Sequence, residues 1–72
     1  MENSLDVKIS ENIKREIEQS GKSKSEIAKA IGVSKPTVSQ YVSGRIQPSL
    51  STLSKLCNFL NISADEILEI RP

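Results

Sequence analysis

Histidine and tryptophan are absent from this sequence, cysteine occurs once, at Cys57, and the only aromatic residues are Tyr41 and Phe59. Without histidine and with one cysteine, the chain has no Cys/His zinc site, no internal disulfide and no Ser-His-Asp or Cys-His catalytic set. Scattered carboxylates, lysines and serines are what remain for an enzyme, so the expectation is a non-enzyme that needs no metal and no cofactor. No run approaches the roughly 18 apolar residues of a membrane span, and "MENSLDVKIS" has no basic segment followed by an apolar stretch. Neither a membrane nor a small-molecule partner is expected, and the location is expected to be cytoplasmic.

With so few aromatics, a core has to be built from Ile, Leu, Val and Ala, which pack well between short helices. Seventy-two residues leave room for one modest core. The expectation is one domain over residues 1–72 with its core between about 7 and 70. Hydrophobic residues at 36% and charged residues at 26% are ordinary for a globular chain, so composition does not argue for disorder. Cys57 falls in an apolar helical stripe and reads as a packed core thiol.

The net charge of +1 conceals a division. Residues 22–55 carry six basic groups against Glu26 alone, a surplus of +5, while the flanks carry four basic groups against eight acidic ones, a deficit of −4. Such a polarised chain can turn a positive face toward a polyanion while its other side repels it. A scatter of solvated lysines is the competing reading.

Apolar residues at 9, 13 and 17, preceded by Leu5 and Val7, give "VKISENIKREIEQ" a helical period. This helix is expected to end near Ser20, with Gly21 in the left-handed conformation. In "SKSEIAKAIG", Ser23 and Glu26 form a capping box ahead of a face made by Ile27, Ala28 and Ile31, and Gly32 stops the helix after about two turns. A third helix follows at once, capped by Ser34 or, because Pro36 disfavours helical geometry just before it, by Lys35. It runs to about Ser43, before Gly44. After "RIQPS", Ser49 caps a fourth helix with Leu50, Leu53, Leu56, Cys57 and Leu60 on one stripe and Asn61 at its left-handed end. Ser63 and Glu66 form a second capping box opening a short fifth helix, whose Ile67 and Leu68 close the core. Five helices and no strands are predicted, an all-α bundle.

Helices 2 and 3, joined by a short turn containing Gly32, have the layout of a helix-turn-helix, in which the first helix braces the second against the major groove of DNA. On helix 3, Val38, Tyr41 and Val42 share the core side. The opposite side presents Lys35, Pro36, Thr37, Gln40 and Ser43. Gln40 can bond adenine N6 and N7, Lys35 can donate to guanine O6 or N7, and the Thr37 methyl can meet a thymine methyl.

"SEIAKAIGVSKPTVSQYVSGRIQPSLSTLSKLCNFLNISADEIL" resembles the Cro/lambda-repressor-like (XRE) helix-turn-helix family. The resemblance runs from about residue 9 to 68 and includes Ala28, "IGVS", the "SG" after helix 3, "PSLSTL" and "ISADEIL". It implies a five-helix bundle of the lambda-repressor type that binds double-stranded DNA and regulates transcription, usually as a homodimer on a palindromic operator. Carried over position by position, base reading falls on Lys35, Pro36, Thr37 and Gln40. Phosphate contact falls on Lys24, Ser34, Ser39, Ser43 and Arg45. Lys24 stands where the family commonly has glutamine, and Pro36 brings no side-chain donor or acceptor, so it offers a base only shape. Ser39 reads equally as a solvated residue, and Tyr41 has a phosphate-bonding alternative to its place in the core.

Phe59 reads equally as core edge or subunit interface; with Leu68 and Ile70 it forms the expected dimer surface. The resemblance places the chain in a bacterial or phage-type cytoplasm, associated with the nucleoid, most simply as a repressor. The length leaves no room for a sensor domain, so control is expected from concentration, a partner or proteolysis. The alternative is an antitoxin-like or protein-interaction module on the same scaffold.

Overall fold

The computed structural model describes residues 4–70. Five helices follow one another: α1 (Ser4–Ser20), α2 (Lys24–Ile31), α3 (Lys35–Ser43), α4 (Leu50–Leu60) and α5 (Asp65–Leu68). No strand occurs among the described residues. The fold is all-α, as the periodicity predicts.

Helices α2, α3 and α4 start where a serine hydroxyl satisfies a terminal amide and stop where the backbone N–H of the cap residue satisfies terminal carbonyls. The Ser23 hydroxyl accepts from the Glu26 amide at 3.1 Å and the Glu26 carboxylate accepts from the Ser23 amide at 3.0 Å, completing the capping box of α2. Ser34, rather than Lys35, is the cap of α3: its backbone is extended and its hydroxyl accepts from the Thr37 amide at 3.2 Å. Pro36 then sits in the first turn, where a missing N–H costs nothing. Ser49 caps α4 through the Thr52 amide at 3.2 Å, and Asn61 ends it at φ 58°.

The opening of α5 differs from the expected capping box. Ala64 is already helical and is the cap, with no side-chain bond. The Glu66 amide is taken by the Ser63 carbonyl at 3.1 Å in a tight turn, which leaves the Ser63 hydroxyl to accept from Asp65 N at 3.2 Å.

The core joins Ile13 and Ile17 of α1, Ile27, Ala28 and Ile31 of α2, Val38 and Tyr41 of α3, Leu53, Leu56 and Cys57 of α4, and Ile67 of α5. Val42, Leu60 and Leu68 are half-buried against it. Leu50 departs from the stripe assigned to it, at 81% exposed. It is the first residue of α4 and overhangs the edge of the bundle, a turn short of the core-facing Leu53. Burial also raises the Cys57 thiol above its ordinary value, with the Glu16 and Glu66 carboxylates adding to the effect.

Among the described residues one buried residue is polar. Asn12, 5% exposed, falls at i+3 from Ile9 on the inner face of α1. Its amide donates to the Ile67 carbonyl at 3.0 Å and to Glu69 Oε2 at 2.7 Å, while its oxygen accepts from Arg15 at 3.0 Å. The charge-assisted bond holds Glu69 at φ 59°, where it closes α5.

Helix α1 packs on α3, α4 and α5, and α2 packs on α3 and α4. No Cα pair of α3 with α4 or α5, or of α4 with α5, lies within 8 Å.

Candidate nucleic-acid interface

The turn between α2 and α3 is closed by backbone bonds: Gly32 N and Val33 N both donate to the Ala28 carbonyl, at 2.9 and 3.0 Å. Gly32, at φ 76°, takes the left-handed conformation that this reversal needs. At the far end Gly44 does the same at φ 79°. Its missing side chain matters twice, because a Cβ there would meet Ser10 Oγ at 3.1 Å and Ser10 Cβ at 3.2 Å.

Between these turns α3 is anchored from one side. Val38 is fully buried and Tyr41 is 6% exposed, which places the tyrosine in the core rather than on the outer face. Lys35, Pro36 and Ser43 are exposed on α3, and Thr37, Ser39 and Gln40 are half-buried. The Thr37 hydroxyl lies 2.8 Å from the Ser34 hydroxyl, so the cap and the outer face of α3 share a bond. Ser43 donates to the Gln40 carbonyl at 3.1 Å, and the same carbonyl accepts from Arg45 N at 3.0 Å, fixing the chain as it leaves the helix.

The pairing of charges differs between the flanks and this region. Arg15 is bonded to Glu16 at 3.1 Å, and Lys8 lies 4.0 Å from Glu69. Lys24, Lys29, Lys35 and Arg45 have no acidic partner among the described residues, and neither does the Gln40 side-chain amide have an intramolecular bond. Glu26, the acid of this region, is held below its ordinary value chiefly by the Ser23 amide, then by the Ser23 hydroxyl and Lys22. It stays a helix cap and leaves the neighbouring cations unneutralised.

The remaining assigned residues lie elsewhere. Lys24 opens α2 and is half-buried. Phe59 is half-buried with the Lys22 ammonium 5.1 Å from its ring centroid, a cation–π contact on the side of α4 opposite Leu50. Leu68 lines a groove beside α4, and Ile70 is 61% exposed. Of the two, Leu68 and not Phe59 lines that groove.

Sequence reasoning passed over α1 as a neighbour of the α3 exit. An open groove of about 670 Å³ brings Ser10 and Lys14 beside Ser43, Arg45 and Gln47. The available signal was Gly44, a small residue at a place where another chain segment comes close.

Among the described residues no helix is long and apolar enough to cross a membrane, and no cluster of His, Cys, Asp or Glu has the makings of a metal site. No curated protein and no solved structure matches the chain significantly. The helix-turn-helix family model matches residues 13–67, from the middle of α1 to the buried Ile67 of α5, and so takes in both α3 and the core that carries it. The chain belongs to the helix-turn-helix family of the Cro/lambda-repressor-like (XRE) type, a family of DNA-binding regulators.

Proposed function

We propose that this chain is a sequence-specific transcriptional regulator, a repressor that occupies a palindromic operator as a dimer with α3 in the major groove. The observation that carries the reading is the outer face of α3. It offers Lys35 and Gln40, whose side chains have no partner among the described residues, on a helix fixed from behind by Val38 and Tyr41. A donor and an amide on a rigid helix are what base edges require. Pro36 contributes shape, and Thr37 presents a methyl beside a hydroxyl already bonded to Ser34.

Lys24, Ser34, Ser39, Ser43 and Arg45 flank that face and serve the phosphates, which position a protein on DNA without specifying sequence. One module of this size covers about 600–1,000 Å² of DNA, and two modules with reading helices about 34 Å apart supply the second half-site. Repression then needs no further domain, since an occupied operator excludes other proteins. The setting is the cytoplasm of a bacterium or phage host.

Selection of binding sites from random duplex DNA tests this reading. A palindrome with two half-sites one helical turn apart is the expected result. Failure to enrich any sequence, with binding that is insensitive to salt, would remove it in favour of a protein-binding module.

A further inference from the structure

The first turn of α3 satisfies its polar groups internally. Ser34 Oγ accepts from the Thr37 amide at 3.2 Å and lies 2.8 Å from Thr37 Oγ1. Pro36, exposed between them, has no N–H and no side-chain donor or acceptor. What this turn has left to offer a partner is hydrocarbon, the Pro36 ring and the Thr37 methyl.

At helical spacing Pro36, Gln40 and Ser43 form one row opposite the buried Val38 and Tyr41, and Thr37 stands beside it, three residues before Gln40. Lys35, three residues ahead of Val38, lies on the flank of the row. The Ser43 hydroxyl donates to the Gln40 main-chain carbonyl at 3.1 Å, which leaves the Gln40 side-chain amide as the group of that row with its donors free. Four residues span about 6 Å along a helix, against about 3.4 Å between successive bases of a strand. The apolar turn and the amide therefore meet different base pairs.

On the edges that bases show in the major groove, the 5-methyl of thymine is the hydrocarbon group. We infer that Pro36 and Thr37 form a methyl-reading surface, which selects pyrimidines bearing a 5-methyl group at base pairs next to the one met by Gln40. The inference rests on the proposed function and names what the start of α3 selects there. Neither apolar group bonds to the atom on C4 of the pyrimidine, an oxygen in thymine and an amino nitrogen in cytosine. Cytosine is then rejected for its missing methyl, and 5-methylcytosine is accepted where cytosine is not. Methylation of the duplex thereby changes which sites the chain occupies.

The test uses the full chain and duplexes enriched from random DNA, with affinity read by fluorescence anisotropy at fixed salt. Each thymine is replaced in turn by deoxyuridine, which removes the methyl and keeps every hydrogen-bonding group. The expected loss is about fourfold at one or two positions of a half-site, the worth of burying one methyl group. At those positions 5-methylcytosine is expected to bind better than cytosine by a similar factor. Thr37→Ser removes the methyl and keeps the hydroxyl that bonds Ser34, and it is expected to bind thymine and uracil alike at one position. Thr37→Val returns a methyl and is expected to restore the preference, while Pro36→Ala is expected to weaken it at the neighbouring position. Thermal melting checks that each variant folds. Enriched sites without thymine, sites that bind equally with uracil throughout, or a cytosine that gains nothing from methylation overturn the inference and leave the proposed function standing. So does a uracil penalty that both Thr37→Ser and Pro36→Ala leave unchanged. A chain that enriches no duplex removes the proposed function and this inference with it.

Discussion

The side-chain amide of Asn12 reaches the main-chain carbonyl of Ile67, 55 residues along the chain, at 3.0 Å. This bond and the 2.7 Å bond to Glu69 fasten the shortest helix of the bundle to the longest. Asn12→Ala leaves the Ile67 carbonyl without its side-chain donor and takes one of several acceptors from Arg15, which keeps Glu16, and the expected cost is about 2 kcal/mol. Urea unfolding at fixed protein concentration measures it. Amide exchange at Ile67 and Leu68 should accelerate more than exchange at Val38, because the lost bond belongs to α5.

Gly32 and Gly44 differ in one respect that substitution can isolate. Both have φ near +80°, at 76° and 79°, but an added Cβ meets nothing within 4 Å at Gly32 and meets Ser10 at Gly44. Gly32→Ala is expected to cost about 1–2 kcal/mol from the backbone alone. Gly44→Ala should cost more, and the difference between the two, read from paired denaturation curves, reports the α1–α3 contact. Equal losses would show that Ser10 yields without cost.

How far the sequence carried can be judged from these same residues. The caps Ser23, Ser34 and Ser49 and the stripes through Ile13, Ile27 and Leu53 were legible because each is a local pattern of three or four residues. Leu50 was misplaced because a stripe gives an angle about the helix axis and does not say where the core ends along it. The Ser63–Glu66 pattern failed because a tight turn gave the Glu66 amide to a backbone carbonyl. Asn12 with Ile67, Ser10 with Gly44 and Lys22 with Phe59 join distant segments, and no local pattern encodes such pairs. The outer face of α3 was legible residue by residue, whereas the unpaired state of its neighbouring cations became visible only with the fold.

Gln40 and Arg45 are expected to separate sequence reading from positioning. Gln40→Ala should reduce discrimination at one base pair by about 1–3 kcal/mol, while Arg45→Ala should weaken all sequences alike and lower the salt slope by about 1. Binding to a panel of single-site operator variants at several salt concentrations checks both. Equal loss at every variant from Gln40→Ala removes it as a base reader.

The Glu26 carboxyl is held below its ordinary value by the Ser23 amide, so its charged form is favoured by folding. Its contribution is present above the value of the unfolded chain and is lost as pH falls through the lower, folded value. Glu26→Gln keeps a capping-box side chain and removes the charge. The stability gap between the two proteins is therefore expected to be open at neutral pH and to close on acidification, as read from melting curves across the acid range. A gap that stays constant with pH shows that the charge itself contributes nothing.

Because α1 and α2 each touch both α3 and α4, and α1 touches α5 as well, α3 is clamped into the bundle from two sides. A change on α3 therefore has packed routes to α4 through both α1 and α2. Whatever α3 meets, it meets as part of one block and not as a separately adjustable arm.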